Sequence, residues 1–239
     1  TSLGIDDNAT STAITIDASN NVGIGTTSPD LVGSTTTLTI DNAAGNGQLS
    51  LKGAGTVYGR IFADNATGDL KMGNPTANDI MLYTANVERM RIDSAGRVTM
   101  PYQPSFVAGF TGGGYVTVPD GNVIPFNYTG GLGAFDNGAN FNTGTSRFTA
   151  PVTGRYFIQA NGTAVSGGTR SIQIMKNGSP INNGADTMAS FVSLTGASQT
   201  AVMSLIVYLA VGDYVDARTR NGSIDIYKNH TWFLGHLIG

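Results

Sequence analysis

Two histidines, His230 and His236, are the only side chains here that ordinarily titrate near neutral pH, because the chain has no cysteine. A nucleophilic mechanism would pair such a base with Ser or Cys, yet Cys is absent and no Gly-x-Ser-x-Gly elbow occurs. His236 lies in the apolar run Trp232–Ile238 and reads as a strand or interface residue, while His230 falls in a loop. Glycan cleavage needs two carboxylates flanking one bond, and the candidates are Asp213, Asp216 and Asp225. In Asp213-Tyr214-Val215-Asp216 the odd separation points the two acids to opposite faces of a strand, so that pair cannot share a bond. Gly131-Leu132-Gly133 lacks the third glycine and following helix of a nucleotide loop. Oxygen ligands suit calcium better than zinc, with Asp136, Asp186 and Asp213 as acids to consider, but there is no EF-hand loop. The chain is therefore expected not to be an enzyme and to need no cofactor; an axial calcium and a glycan depolymerase are minority readings.

Recognition chemistry is better served. Aromatic rings cover the apolar faces of sugars, while amides and carboxylates fix hydroxyls, and turns are where such groups reach solvent. The turns in question are Tyr128–Asn140, Gly167–Arg170, Asn182–Thr187, Arg218–Ser223 and Tyr227–His230. Within them Tyr128, Asp136, Arg170, Asn183, Arg220 and Tyr227 are the candidate receptor-binding residues.

The elements that must carry those turns follow from composition. Glu occurs once, at Glu88, and helix formers are scarce, so summed propensity favours strands and turns. Charged residues make up 12% of the chain and the net charge is -3, with no basic run. That leaves no electrostatic footprint for nucleic acid or an anionic membrane. No apolar run reaches the roughly 20 residues of a membrane span. Without disulfides, burial between copies of the chain is the expected source of extra stability.

Residues 1–100 carry a degenerate repeat. Ile16-Asp17-Ala18-Ser19-Asn20-Asn21-Val22-Gly23-Ile24 aligns position for position with Ile92-Asp93-Ser94-Ala95-Gly96-Arg97-Val98-Thr99-Met100. Asn20 and Gly96 fall where a tight turn needs positive φ, which predicts a hairpin unit. A looser copy runs from Leu38-Thr39-Ile40-Asp41 to Gly45-Asn46, and Asn65-Ala66-Thr67-Gly68-Asp69 predicts another turn. Units this small bury too little for a monomer core, so stacked neighbours or intertwined partner chains are expected.

The two prolines of Met100-Pro101-Tyr102-Gln103-Pro104 mark a linker over 101–104. From 105 to 239, strand-like runs recur at sandwich spacing: Tyr115–Val118, Val123–Tyr128, Arg147–Ala150, Tyr156–Ala160, Ser171–Lys176, Ala201–Val211, Tyr214–Thr219, Ile224–Tyr227 and Thr231–Ile238. In Leu205-Ile206-Val207-Tyr208-Leu209-Ala210-Val211 nearly every side chain is apolar, so both strand faces need cover. Leu205, Val207, Leu209 and Val211 are the expected contacts between copies of the chain.

Residues from about 104 onward resemble the globular domain of complement component 1q, within the tumour-necrosis-factor-like jelly rolls. The resemblance is carried by Asp136, Phe141, Phe148, Gly154 and Tyr156, by Leu209-Ala210-Val211-Gly212-Asp213-Tyr214-Val215, and by Trp232-Phe233-Leu234-Gly235-His236-Leu237-Ile238. Gly130 stands where that family has an aromatic, and Ile158 where it usually has Phe. The resemblance implies a ten-stranded jelly roll that assembles as a trimer around an apolar axis. Asn21-Val22-Gly23-Ile24-Gly25-Thr26-Thr27-Ser28-Pro29 and Glu88-Arg89-Met90-Arg91-Ile92-Asp93-Ser94-Ala95-Gly96 resemble phage tail-fibre shafts, and the combination with such a head resembles the distal fibre of a tailed phage, with cyanophages among those to consider. Together they imply an all-β chain: a trimeric, intertwined β-shaft followed by a jelly-roll head. The implied role is that of a virion tail-fibre tip acting outside the cell. Its partners would be itself, upstream tail or baseplate proteins, and a host glycan or outer-membrane protein. A head that only registers the trimer is the alternative.

Overall fold

The computed structural model describes residues 14–24, 26–28, 38–40, 45–131, 133–164, 170–181, 191–194, 199–228 and 230–239. The described chain is all-β and divides into two units, Thr1–Met100 and Pro101–Gly239.

The first unit holds small, separate sheets. β1 (Ile14–Ile16), β2 (Val22–Ile24) and β3 (Leu38–Ile40) form one; β4 (Gln48–Gly53), β5 (Thr56–Ala63) and β6 (Leu70–Gly73) a second; β7 (Ile80–Thr84), β8 (Val87–Ile92) and β9 (Val98–Thr99) a third. The two aligned repeats close with one hydrogen-bond scheme. Asn20 N–H donates to Asp17 O at 3.1 Å, and Gly96 N–H to Asp93 O at 2.8 Å. The Asp17 carboxylate accepts from the amides of Ser19 and Asn21, as Asp93 does from Ala95 and Arg97. Asn20 (φ 65°) and Gly96 (φ 84°) supply the left-handed residue. These local bonds make hairpins, but not a core: Ile16, Leu38, Leu51, Leu70 and Met72 are all more than 60% exposed.

The second unit buries what the first leaves in water. Its strands are β10 (Ser105–Gly109), β11 (Tyr115–Val118), β12 (Phe135–Asn137), β13 (Phe141–Asn142), β14 (Arg147–Thr149), β15 (Gly154–Ala164), β16 (Arg170–Lys176), β17 (Ser179–Pro180), β18 (Phe191–Leu194), β19 (Gln199–Leu209), β20 (Tyr214–Arg220), β21 (Ile224–Tyr227) and β22 (Trp232–Leu237). One sheet runs β12-β10-β22-β15-β19 and the other β13-β14-β20-β16-β17, with β18 also on β16; β11 and β21 form a separate ribbon. Strict alternation along β15, with Tyr156, Ile158 and Ala160 inward and Arg155, Phe157 and Gln159 outward, packs the first sheet onto the second. Phe106 stacks on Phe148 at 4.7 Å and Phe141 at 5.0 Å and meets Phe233 edge-on. Ile158 is fully buried in the same core.

The expected strand Val123–Tyr128 is a correction. It makes only isolated bridges, Val123 with Arg218 and Tyr128 with Gly109. Pro125, in its middle, has no N–H to give to a ladder. Ile124 and Phe126 nonetheless sit in the core at 0% exposure.

Candidate functional site

The head has two ends. Leu237 N–H donates to Pro104 O at 3.0 Å and Arg155 N–H to Gly239 O at 2.7 Å, so the chain enters and leaves the domain at one end of the first sheet. By register the opposite end carries Gly109 beside Trp232, Asn161 beside Val202 and Thr163 beside Thr200. At that far end, β11 and β21 set Tyr115 directly across from Tyr227, with ring centroids 4.7 Å apart. The His230 ring lies 5.5 Å from Tyr227. Two residues along the same face, Thr117 Oγ1 donates to Asp225 Oδ1 at 2.6 Å. Asn161 Nδ2 donates to His230 O at 3.1 Å and its Oδ1 accepts from Trp232 N–H, which ties the β21–β22 turn to the sheet.

The three acids weighed for hydrolysis are separately employed. Asp216 is fully buried, with Oδ1 on Arg218 Nε at 2.8 Å and Oδ2 on Arg147 Nε at 3.1 Å. Asp213 takes Lys176 Nζ at 2.8 Å, Asn177 Nδ2 at 2.7 Å and the Ala210 amide at 2.8 Å. Led by Lys176, these donors hold its carboxyl down at about 2. Asp225 is held by Thr117. Among the described residues no three His, Asp or Glu side chains gather to hold a metal; Asp186 lies outside the described residues.

The candidate receptor residues are scattered. Asp136 belongs to the fold: its two oxygens accept the Asn140 and Phe141 amides at 3.0 and 2.9 Å, closing the turn that sets Phe141 in the core. Tyr128 lies over the turn at Gly131, whose φ is 81°. Arg170 opens β16. Arg220 Nη1 donates to Gln173 Oε1 at 3.3 Å. Tyr227 sits in the aromatic group at the far end, and Asn183 lies outside the described residues. Tyr115 was missed because its partner in the ribbon is far away in sequence and no local pattern joins them.

Burial corrects two of the four residues expected between copies. Val207 (6% exposed) and Leu209 (0%) face the sandwich core, and Leu205 packs against it. Val211, at 67%, is exposed beyond the strand. The outward face of β19 instead presents Val202, Ile206 (64%) and Tyr208 (60%). Beside Ile206 by register come Phe157 and then His236, whose rings are 5.4 Å apart. A nearly all-apolar run hides its own parity; Ser204, on the outward set, was the one polar marker.

This sandwich is a jelly-roll-like β domain. The C1q domain family model matches residues 106–238, more than half of the chain, and the chain belongs to that family. Among solved structures, a TNF protein, Eiger, from S. frugiperda is 12% identical, with TM-score 0.43, over 58% of this chain and 94% of that one. The globular domain of zebrafish complement 1qA is 18% identical, with TM-score 0.42, over 57% of this chain and 98% of that one. No curated protein matches the chain.

Proposed function

We propose that this chain is the distal part of a phage tail fibre, a homotrimer whose C1q-type head attaches the virion to a saccharide or outer-membrane component of the host. The observation that carries the reading is the joining of shaft-like hairpin repeats to a C1q domain in one chain. The strands before Met100 expose rows of apolar side chains, which suits winding against partner chains. The outward face around Ile206, Tyr208, Val202 and Phe157 is the surface on which three heads would meet, partner fibre segments joining upstream. The role is binding and not catalysis, a reading supported by Asp213, Asp216 and Asp225, the acids weighed for hydrolysis, each of which is held in a separate structural contact.

The labelled chain, added to a panel of bacterial strains, is expected to adsorb saturably to some of them and to protect those strains from the phage that carries it. Adsorption to no strain, at concentrations well above micromolar, overturns the reading. The same apolar face favours a second reading, a head that only registers the trimer. That reading predicts a fully assembled chain that neither adsorbs nor competes.

A further inference from the structure

We infer that the far end of the head carries a binding platform for a neutral pyranose sugar, formed by Tyr115 and Tyr227 with Thr117, Asp225 and His230 at its edges. The inference rests on the attachment reading and gives it a place and a ligand class. Cross-strand tyrosines commonly form packing pairs, but this pair covers little: Tyr115 is 60% exposed and its ring rests on Tyr227 at the surface. Neither hydroxyl has a hydrogen-bond partner among the described residues. Two adjacent rings offer a surface that is electron-rich and apolar, and sugar C–H faces pack on such surfaces.

Polar partners stand at the distance that use requires. Thr117 and Asp225 lie on the same ribbon face two residues from the tyrosines, a separation of about 7 Å. Asp225 Oδ1 accepts from Thr117, which fixes the carboxylate and leaves Oδ2 for a sugar hydroxyl. Asp225 has no ion pair among the described residues, which disfavours an anionic ligand, and an oxygen acceptor beside two rings matches the hydroxyl and C–H faces of a neutral sugar. On the other side of the rings, His230 is exposed and its backbone is anchored through Asn161. The platform lies at the end of the first sheet opposite the chain entry at Pro104.

Saturation-transfer NMR on the full chain with galactose, glucose, mannose and N-acetylglucosamine tests this. At least one sugar is expected to receive magnetisation, with affinity falling about tenfold in Y115A/Y227A and remaining in Y115F/Y227F. D225N, which keeps both rings and needs no repacking, is expected to weaken the same sugar, and it decides the matter should the double alanine variant fail to fold. No transfer to any of the sugars, or unchanged affinity in the folded variants, overturns the inference. The two readings separate in the adsorption assay. Y115A/Y227A chains that still adsorb to cells as wild type does sink the platform and spare the fibre reading; sugar binding without cell adsorption does the reverse.

Discussion

The two units use the same strand-and-turn vocabulary and place their apolar side chains in opposite ways. In the head, Phe106, Phe126, Phe148, Tyr156 and Phe233 close into one cluster at or near zero exposure. In the first unit, every buried position among the described residues is polar or glycine, and Ile16, Leu51 and Leu70 face outward. Local hydrogen bonds therefore suffice to shape a hairpin, as Asp17 and Asp93 do, but a hairpin alone has no interior. Only where two sheets face each other does one chain supply both sides of its core. Under the proposed fibre reading, partner chains would complete the first unit and would cover the head only on its outer face.

The sharpest way to break this contrast is paired truncation. Phe148→Ala should cost the head about 4 kcal/mol through the cavity it opens, and it should do so at any chain concentration. Leu82→Ala, at a position 53% exposed within one chain, should matter only when the chains are assembled. Denaturant unfolding at several concentrations distinguishes the two, and equal, concentration-independent losses would defeat the contrast. Asp216→Ala comes next, at about 3 kcal/mol, because it leaves Arg147 and Arg218 facing each other without the buried carboxylate. The same denaturation curves measure it.

Ile206→Asp tests the outer face: it should make the native mass fall on dilution where the wild-type mass holds, while moving the unfolding of the head by no more than about 0.5 kcal/mol. A charged residue tolerated there at full native mass would place the contact elsewhere. The smallest effect concerns pH. The folded-state carboxyl of Asp213 is depressed, so its contribution is present above the ordinary value of 3.8 and is lost as pH falls from there towards about 2. Thermal melts between pH 5 and 2 should show a loss that Lys176→Met, removing the largest cause, reduces; a loss of equal size in that variant would assign it to other groups.

Much of this was legible in the sequence where a local rule and a global one agreed. The Asp and Asn or Gly of the repeats dictate their own turns, and Phe141, Phe148 and Tyr156 meet in the core while Gly154 opens strand β15. Gly154 is needed there, since a Cβ would come within 2.7 Å of Leu237 Cδ1 and 3.1 Å of the final carbonyl. Reading failed where the pattern was silent or overruled. Pro125 removed a strand that hydrophobicity favoured, and the uniform run through Val207 concealed which side faced the core. The Tyr115–Tyr227 pair depends on a register that no segment encodes alone.

The native mass of the purified chain, by multi-angle light scattering, tests the trimer most directly. Three times the chain mass of 24.7 kDa is the predicted result, held across dilution. A single-chain mass would contradict it, because the exposed strands of the first unit and the apolar face around Ile206 would then both lie open to water.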